Sequence, residues 1–296
     1  MARNYQLVVI GAGPGGYTAA LKAAGFGMRV AVVDEDKLGG VCINRGCIPT
    51  KALLHASNIF SMMQHCDDFG VSTDFISFDF GKMQEYKRRS VVQYRKGVER
   101  LFAENHIDFI KGTATIRRNK TVEVDGEEGR EYLHADYIII ATGAKPMLPE
   151  IPGIHLPGVI NSDRLLAAQS WNFDRIVIIG GGVIGVEFAT IFQALCSNVV
   201  IVEKGSHLLG PMDTEVALAL EEQLRDKGIA IHCSSVVETI TEEDGLVCQV
   251  KNLETGETGK IRASQVVVAV GRTPNMERLL GEDISLEIRD GRLAVD

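Results

Sequence analysis

Cys42 and Cys47 carry the most reactive side chains of this sequence, set in Gly39-Gly40-Val41-Cys42-Ile43-Asn44-Arg45-Gly46-Cys47-Ile48-Pro49-Thr50-Lys51. Four residues separate the two, enough for the chain to curl so that the sulfurs meet. Pro49 and the helical pattern after it put both near a helix N-terminus. There the positive dipole end lowers a thiol pKa and favours the thiolate, the form that attacks disulfides or donates charge. A metal site would recruit His55 with His65 or Cys66, but the spacing matches no common zinc module, and no metal is expected. Cys66, Cys196, Cys233 and Cys248 stand singly among apolar neighbours and read as packing residues.

Two glycine-rich loops point to a second chemistry. Leu7-Val8-Val9-Ile10 runs into Gly11-Ala12-Gly13-Pro14-Gly15-Gly16, and the strand Val30-Ala31-Val32-Val33 ends in Asp34. Ile176-Val177-Ile178-Ile179 runs into Gly180-Gly181-Gly182-Val183-Ile184-Gly185, and Val199-Val200-Ile201-Val202 ends in Glu203. Each loop starts 23 residues before its acidic residue, and the two copies are offset by 169. A G-x-G-x-x-G after a buried strand, opening a helix and followed by a carboxylate at the next strand tip, is a dinucleotide fingerprint. Its glycines allow a tight turn, close approach of a pyrophosphate and close helix–strand packing. The helix start offers N–H groups to phosphate, and the carboxylate takes a ribose hydroxyl pair. Two dinucleotide sites are expected.

Elements must position these motifs. The chain has 296 residues, 45% hydrophobic and 24% charged, so two domains are expected. The fold class predicted is α/β, with two doubly wound Rossmann-like dinucleotide-binding lobes, each carrying a small β-meander. Residues 49–65 and 82–105 read as helices. Residues 113–140 read as strands joined at Asn119-Lys120 and Asp125-Gly126. Asp213 starts a helix with Val216, Leu220 and Leu224 on one face, and Gly228 stops it. Strands follow at 229–233, 246–250 and 265–270, with Glu254-Thr255-Gly256 as a hairpin tip. Pro146, Pro149, Pro152 and Pro157 mark a boundary near 148, giving lobes 1–147 and 148–270 and a return segment 271–296.

The net charge of −8 argues against nucleic acid or an anionic membrane as partner. Lys87-Arg88-Arg89, the densest basic run, reads as a solvated helix face. No apolar run approaches the roughly 18 residues of a membrane span. The apolar run Leu7–Ile10 breaks at Gly11, as a strand does and a secretory signal does not. Irregular cysteine spacing does not describe a secreted disulfide framework. A soluble, cytoplasmic protein is expected.

The pattern G-G-x-C-x-N-x-G-C-I-P-x-K, close behind a dinucleotide fingerprint, resembles the redox motif of the class I pyridine nucleotide–disulfide oxidoreductases. Ala52-Leu53-Leu54 after Lys51 is most similar to the dihydrolipoamide dehydrogenases among them. Asp136 to Gly143 resembles the family's A-T-G strand, and Val268 to Asn275 its return strand. The resemblance implies FAD in the first lobe and NAD in the second. Cys42 would be the interchange thiol and Cys47 the charge-transfer thiol against the flavin. Lys51 would lie near flavin N5, paired with Glu187. Gly11, Gly13, Gly16, Asp34, Gly40, Gly112, Ala114, Thr142 and Gly143 would join Lys51 in holding FAD. Gly180, Gly182, Gly185, Glu203, Val236 and Gly271 would hold NAD. Glu203 accepts a free 2′-hydroxyl and repels a 2′-phosphate, so NAD is expected over NADP. Val183 stands where NADP-using relatives carry a gating tyrosine.

The implied reaction passes electrons from a dihydrolipoyl group of an acyl-transfer complex through a Cys42–Cys47 redox disulfide and FAD to NAD. Glutathione-, mercuric- or thioredoxin-type reduction, and a non-catalytic nucleotide-binding module, stand as alternatives. Asp34 departs from the family's usual Glu and has a shorter reach. The sequence ends at Asp296, before the family's G-D motif and interface domain. The expectation is therefore a chain without its general base, impaired in lipoamide turnover, whose native homodimer forms through that missing domain.

Overall fold

The computed structural model describes residues 3–127, 129–171, 174–195 and 198–295. Cys196 lies outside the described residues. Packing divides the chain into two units: Met1–Ile48, Arg89–Lys145 and Thr273–Asp296 form one, and Pro49–Arg88 with Pro146–Arg272 the other.

The first unit opens with β1 (Arg3–Ile10), α1 (Pro14–Gly25), β2 (Val30–Asp34) and the short α2 (Gly40–Arg45). Two long helices, α3 (Cys47–Gln64) and α4 (Phe80–Glu104), each contribute residues to both units. Strands β3 (Asp108–Lys111), β4 (Thr113–Arg117), β5 (Thr121–Gly126) and β6 (Gly129–Ile140) complete a sheet of order β3-β2-β1-β6-β5-β4. The strands β3, β2, β1 and β6 are parallel, and β6, β5 and β4 form an antiparallel meander. Asn119 and Lys120 join β4 to β5 with φ of 57° and 52°, a pair of left-handed residues whose twist suits a tight hairpin.

After β7 (Ala144–Pro146), the second unit contains β8 (Val159–Asn161), α5 (Ser162–Ala167), β9 (Arg175–Ile179), α6 (Val183–Ala194), β10 (Asn198–Val202) and α7 (Thr214–Asp226). Strands β11 (Ala230–His232), β12 (Ser235–Glu242), β13 (Leu246–Asn252), β14 (Thr258–Ala263) and β15 (Gln265–Val268) follow. The order β11-β10-β9-β15-β8 is parallel throughout. The antiparallel sheet β12-β13-β14 is the meander of this unit. Both lobes are thus doubly wound α/β, as the sequence pattern implies.

Strand alternation builds a core on each face of each parallel sheet. Leu7 and Val9 pack with Ala20, Ala23 and Phe102, while Val8 and Ile10 pack with the meander residues Val122, Val124 and Leu133. Ile176 and Ile178 pack with Phe188, Ile191 and Phe192 of α6, while Val177 and Ile179 pack with Val237, Leu246 and Cys248. These strands, buried on both faces, therefore read as unbroken apolar runs.

Four local expectations change. Strands β3, β7, β8, β12 and β14 are additional to those read from the sequence. On α7, Asp213 does cap the helix, its Oδ1 accepting from Glu215 N at 3.0 Å. The buried face, however, is Ala217 and Leu224, with Leu220 partly buried and Val216 exposed. Steps of four residues precess by about 40° around a helix, which carries Val216 off the core side. Residues 49–88, placed by sequence in the first lobe, group by packing with the second unit. There Leu53 and Met83 are buried in one cluster with Leu165, Leu166 and Trp171.

Lys87 belongs to that region and is not solvated. It is buried, and its Nζ donates to the carbonyl of Leu166 in the last turn of α5. Burial, with the neighbouring Arg88 charge, pushes its ammonium down from 10.5 to about 8. Between those values the unfolded chain holds the proton that the folded chain has released, so this group makes stability rise with pH. Lys87→Met removes the titration. Its stability relative to the parent should be highest near pH 7 and should decline as pH rises from about 8 to 10.5. Parallel denaturant-unfolding curves for the two proteins across that range would contradict this.

Candidate dinucleotide and thiol sites

The first lobe brings most of its predicted FAD residues together. At Gly11 (φ 105°) a Cβ would stand 2.2 Å from the carbonyl oxygen of Ala141, and at Gly16 one would stand 1.8 Å from that of Gly11. Gly13 is the N-cap of α1, where no side chain caps the helix. Its first N–H groups are thereby left to a ligand, and an anion is the favoured one. Gly40 lies against the same loop, its Cβ position 2.5 Å from Gly13 Cα. A cleft of about 220 Å³ beside this turn is lined by Gly11, Asp34, Gly112, Ala114 and Thr142. Gly143 (φ 68°) follows Thr142 and accepts from Asn275 N at 2.9 Å.

The second lobe repeats this geometry. Gly180 has φ 106°, with a Cβ position 2.5 Å from Ala269 O, and Gly185 would meet Gly180 O at 2.0 Å. Gly182 caps α6 with φ −73° and ψ −179°, against −73° and −178° for Gly13. Ser235 N donates to Glu203 O at 2.9 Å, which sets the start of β12, with Val236, beside the strand tip. Gly271 (φ 128°) accepts from Met147 N at 3.0 Å.

Each strand-tip carboxylate braces its own glycine loop. Asp34 Oδ2 accepts from Ala12 N at 2.7 Å and Oδ1 from Asp36 N at 2.9 Å. Glu203 Oε2 accepts from Gly181 N at 2.5 Å and Oε1 from Gly205 N at 2.6 Å. The shorter Asp34 therefore makes the same two kinds of contact as Glu203. A carboxylate oxygen has two lone pairs, so both groups can brace the loop and still accept from a ribose. Loop, helix start and carboxylate fit a dinucleotide in both lobes.

Cys42 is partly buried within α2, and Cys47, exposed, is the first residue of α3; both are thiols here. Asn44, between them, pins the loop by donating its Nδ2 to the carbonyls of Leu38 and Gly40, both at 3.0 Å. Its Oδ1 accepts from Arg95 at 3.4 Å. In the second unit Lys51 Nζ and Glu187 Oε1 are 2.5 Å apart. So exposed an ion pair adds little stability, and its effect is to fix the ammonium in place. Burial pushes the thiols of Cys233 and Cys248 up to about 11, so neither is a thiolate at neutral pH. Among the described residues no group of three or more His, Cys, Asp or Glu is placed to hold a metal ion. No helix there is long and apolar enough to cross a membrane.

The reading from sequence missed Glu35, Thr113, Asn275, Glu277, Arg278 and Leu279, which also line the first cleft. The last four come from the return segment. The Thr273-Pro274-Asn275 turn was the available signal, but it gives no distance to Asp34.

Fold and sites together define a protein with two dinucleotide-binding lobes and with two cysteines, Cys42 and Cys47, in consecutive helices behind the first glycine loop. A family model described as pyridine nucleotide-disulphide oxidoreductase matches residues 5–296, and the chain belongs to that family. It is 36% identical over 289 residues to a dihydrolipoyl dehydrogenase of Bacillus subtilis, covering 95% of this chain and 61% of the relative. To one of Staphylococcus aureus it is 38% identical over 291 residues, covering 98% and 61%. A solved Cu(II) complex of an HOCl-induced flavoprotein disulfide reductase from Escherichia coli matches with a TM-score of 0.83 and 33% identity, over 100% of this chain and 63% of that one. The chain thus spans somewhat less than two thirds of these relatives.

The glycines separate folding from binding. An added Cβ at Gly182 meets nothing within 4 Å, so Gly182→Ala should leave stability unchanged or raise it by about 0.4–1 kcal/mol. It should nonetheless weaken dinucleotide binding in the second lobe by roughly tenfold or more, because the pyrophosphate needs that space. Gly180→Ala should instead destabilise the fold by about 1–3 kcal/mol. Thermal melts paired with NADH titration check both; unchanged NADH affinity in Gly182→Ala would contradict the site.

Proposed function

We propose that this chain carries the electron relay of an FAD- and NAD-dependent disulfide oxidoreductase of the dihydrolipoamide dehydrogenase type. The observation that carries this reading is the pairing of two braced glycine loops with Cys42 in α2 and Cys47 at the start of α3. FAD belongs to the first lobe and NAD to the second. When bound, the flavin supplies two-electron exchange between the cysteine pair and the nicotinamide.

In the oxidised state Cys42 and Cys47 are joined. One thiolate of a dihydrolipoyl group attacks Cys42 Sγ, the Cys42–Cys47 bond breaks, and the electron pair leaves on Cys47. The second substrate thiolate then displaces Cys42 and closes the lipoyl disulfide, leaving both cysteines reduced and two protons released. The dipole at the start of α3 favours negative charge on Cys47, and Asn44 holds the loop that carries both sulfurs. Lys51, four residues after Cys47 in the sequence, is held by its pairing with Glu187. The partners proposed are a lipoyl group of an acyl-transfer complex and a second copy of the chain, in a cytoplasmic setting. The likeness to a flavoprotein disulfide reductase favours a second reading, in which electrons run from the nicotinamide to a disulfide substrate.

With FAD loaded and two electrons added anaerobically, a long-wavelength band should arise from the Cys47 thiolate against oxidised flavin. Cys47→Ser should abolish it and Cys42→Ser should keep it; the opposite result would reverse the two roles. A chain with no band under any reductant is a nucleotide-binding module and no disulfide oxidoreductase.

Coenzyme choice rests on Glu203. NADH should bind more tightly than NADPH, and Glu203→Ala should narrow the gap while loosening the loop at Gly181. Titrations in which NADPH binds as well as NADH would overturn the assignment.

A further inference from the structure

Arg278 has a left-handed backbone, φ 57°, which an arginine adopts at a cost. Its surroundings hold it there. Thr115 Oγ1 donates to the Arg278 carbonyl at 2.8 Å, Ile116 N to Leu279 O at 2.8 Å, and Gly281 N to Ile116 O at 2.9 Å. Asn275 N is tied to Gly143 O, and Leu279 is buried in the core of the first unit. The return segment is thereby stitched along β4, with Arg278 anchored at Thr115, one residue beyond Ala114.

The electrostatics single out the same residue. Among the residues lining the first cleft, Arg278 is the one cation, alongside the carboxylates of Asp34, Glu35 and Glu277. Lys145 pairs with Glu277, and Asp34 is turned to backbone amides. No side-chain ion pair of Arg278 is seen among the described residues, and its side chain is exposed at the cleft. A planar guanidinium stacks on a flat aromatic base and offsets nearby negative charge.

We propose that Arg278 is a binding residue for the adenosine half of the flavin dinucleotide, its guanidinium lying on the adenine beside the Gly112–Ala114 main chain. This rests on the reading that the first cleft takes FAD. It makes cofactor retention depend on the return segment as well as on the fingerprint.

Arg278→Gly tests it, since glycine adopts this backbone without penalty. Its melting temperature should be unchanged or higher, and NADH binding, which uses the second lobe, should not change. Flavin-fluorescence titration should show FAD bound about 5- to 30-fold more weakly, and ADP should lose potency as a competitor of FAD by a similar factor. Arg278→Asn, also tolerant of left-handed backbone, should behave alike. If both variants bind FAD and compete with ADP as the parent does, this role for Arg278 is wrong while the FAD assignment stands. If the parent itself binds no FAD, the underlying reading fails and this one with it.

Discussion

At Gly11 and Gly180 the backbone turns so close to a neighbouring strand end that no side chain fits, and the rest of each lobe is arranged around that approach. Ala141 N donates to Ile10 O and Ala269 N to Ile179 O, both at 2.8 Å. Those bonds bring the strand ends level, and the carbonyls of Ala141 and Ala269 then occupy the space that a Cβ would need. The helix that starts beyond each turn is aimed by this contact. Asp34 and Glu203 reinforce it by taking one backbone N–H of the loop and one from two residues past themselves. A substitution at either carboxylate therefore acts on loop geometry as well as on any ribose.

This arrangement explains why so little of the site is made of reactive side chains. In the site as proposed, the phosphate end would be backbone and helix dipole, the ribose end one carboxylate, and the adenine end main chain at Gly112 and Ala114. The proposed redox chemistry is concentrated in a six-residue stretch, Cys42 to Cys47, which Asn44 holds through the carbonyls of Leu38 and Gly40 and through Arg95. Cys248, buried, and Cys233, partly buried, both have raised pKa values and are withdrawn from that chemistry by the same apolar packing that stabilises the second lobe.

The return segment shows how a distant stretch completes a local motif. Asn275, Glu277, Arg278 and Leu279 lie far from Asp34 in sequence yet line the same cleft. They do so because β4 offers edge hydrogen bonds to Leu279 and Gly281, and because Leu279, Met276 and Leu280 cover apolar surface beside the meander. The dinucleotide fingerprint alone supplies less than half of the residues that line this cleft.

By itself the sequence determined the two strand–loop–helix units, their matched spacing, the helix starts at Pro14 and Asp213, the tight turn at Asn119-Lys120 and the cysteine pair. All of these follow from local rules: where glycine is required, where a side chain can cap, and how apolar residues repeat. Tertiary structure decided which unit claims residues 49–88, which face of α7 is buried, that Lys87 turns inward to a helix end, and that Arg278 stands at the first cleft. Each of those depends on partners far along the chain. Periodicity gives the direction of a face to within a step or so, whereas burial depends on what arrives to cover it, and that is set only when the whole sheet has formed.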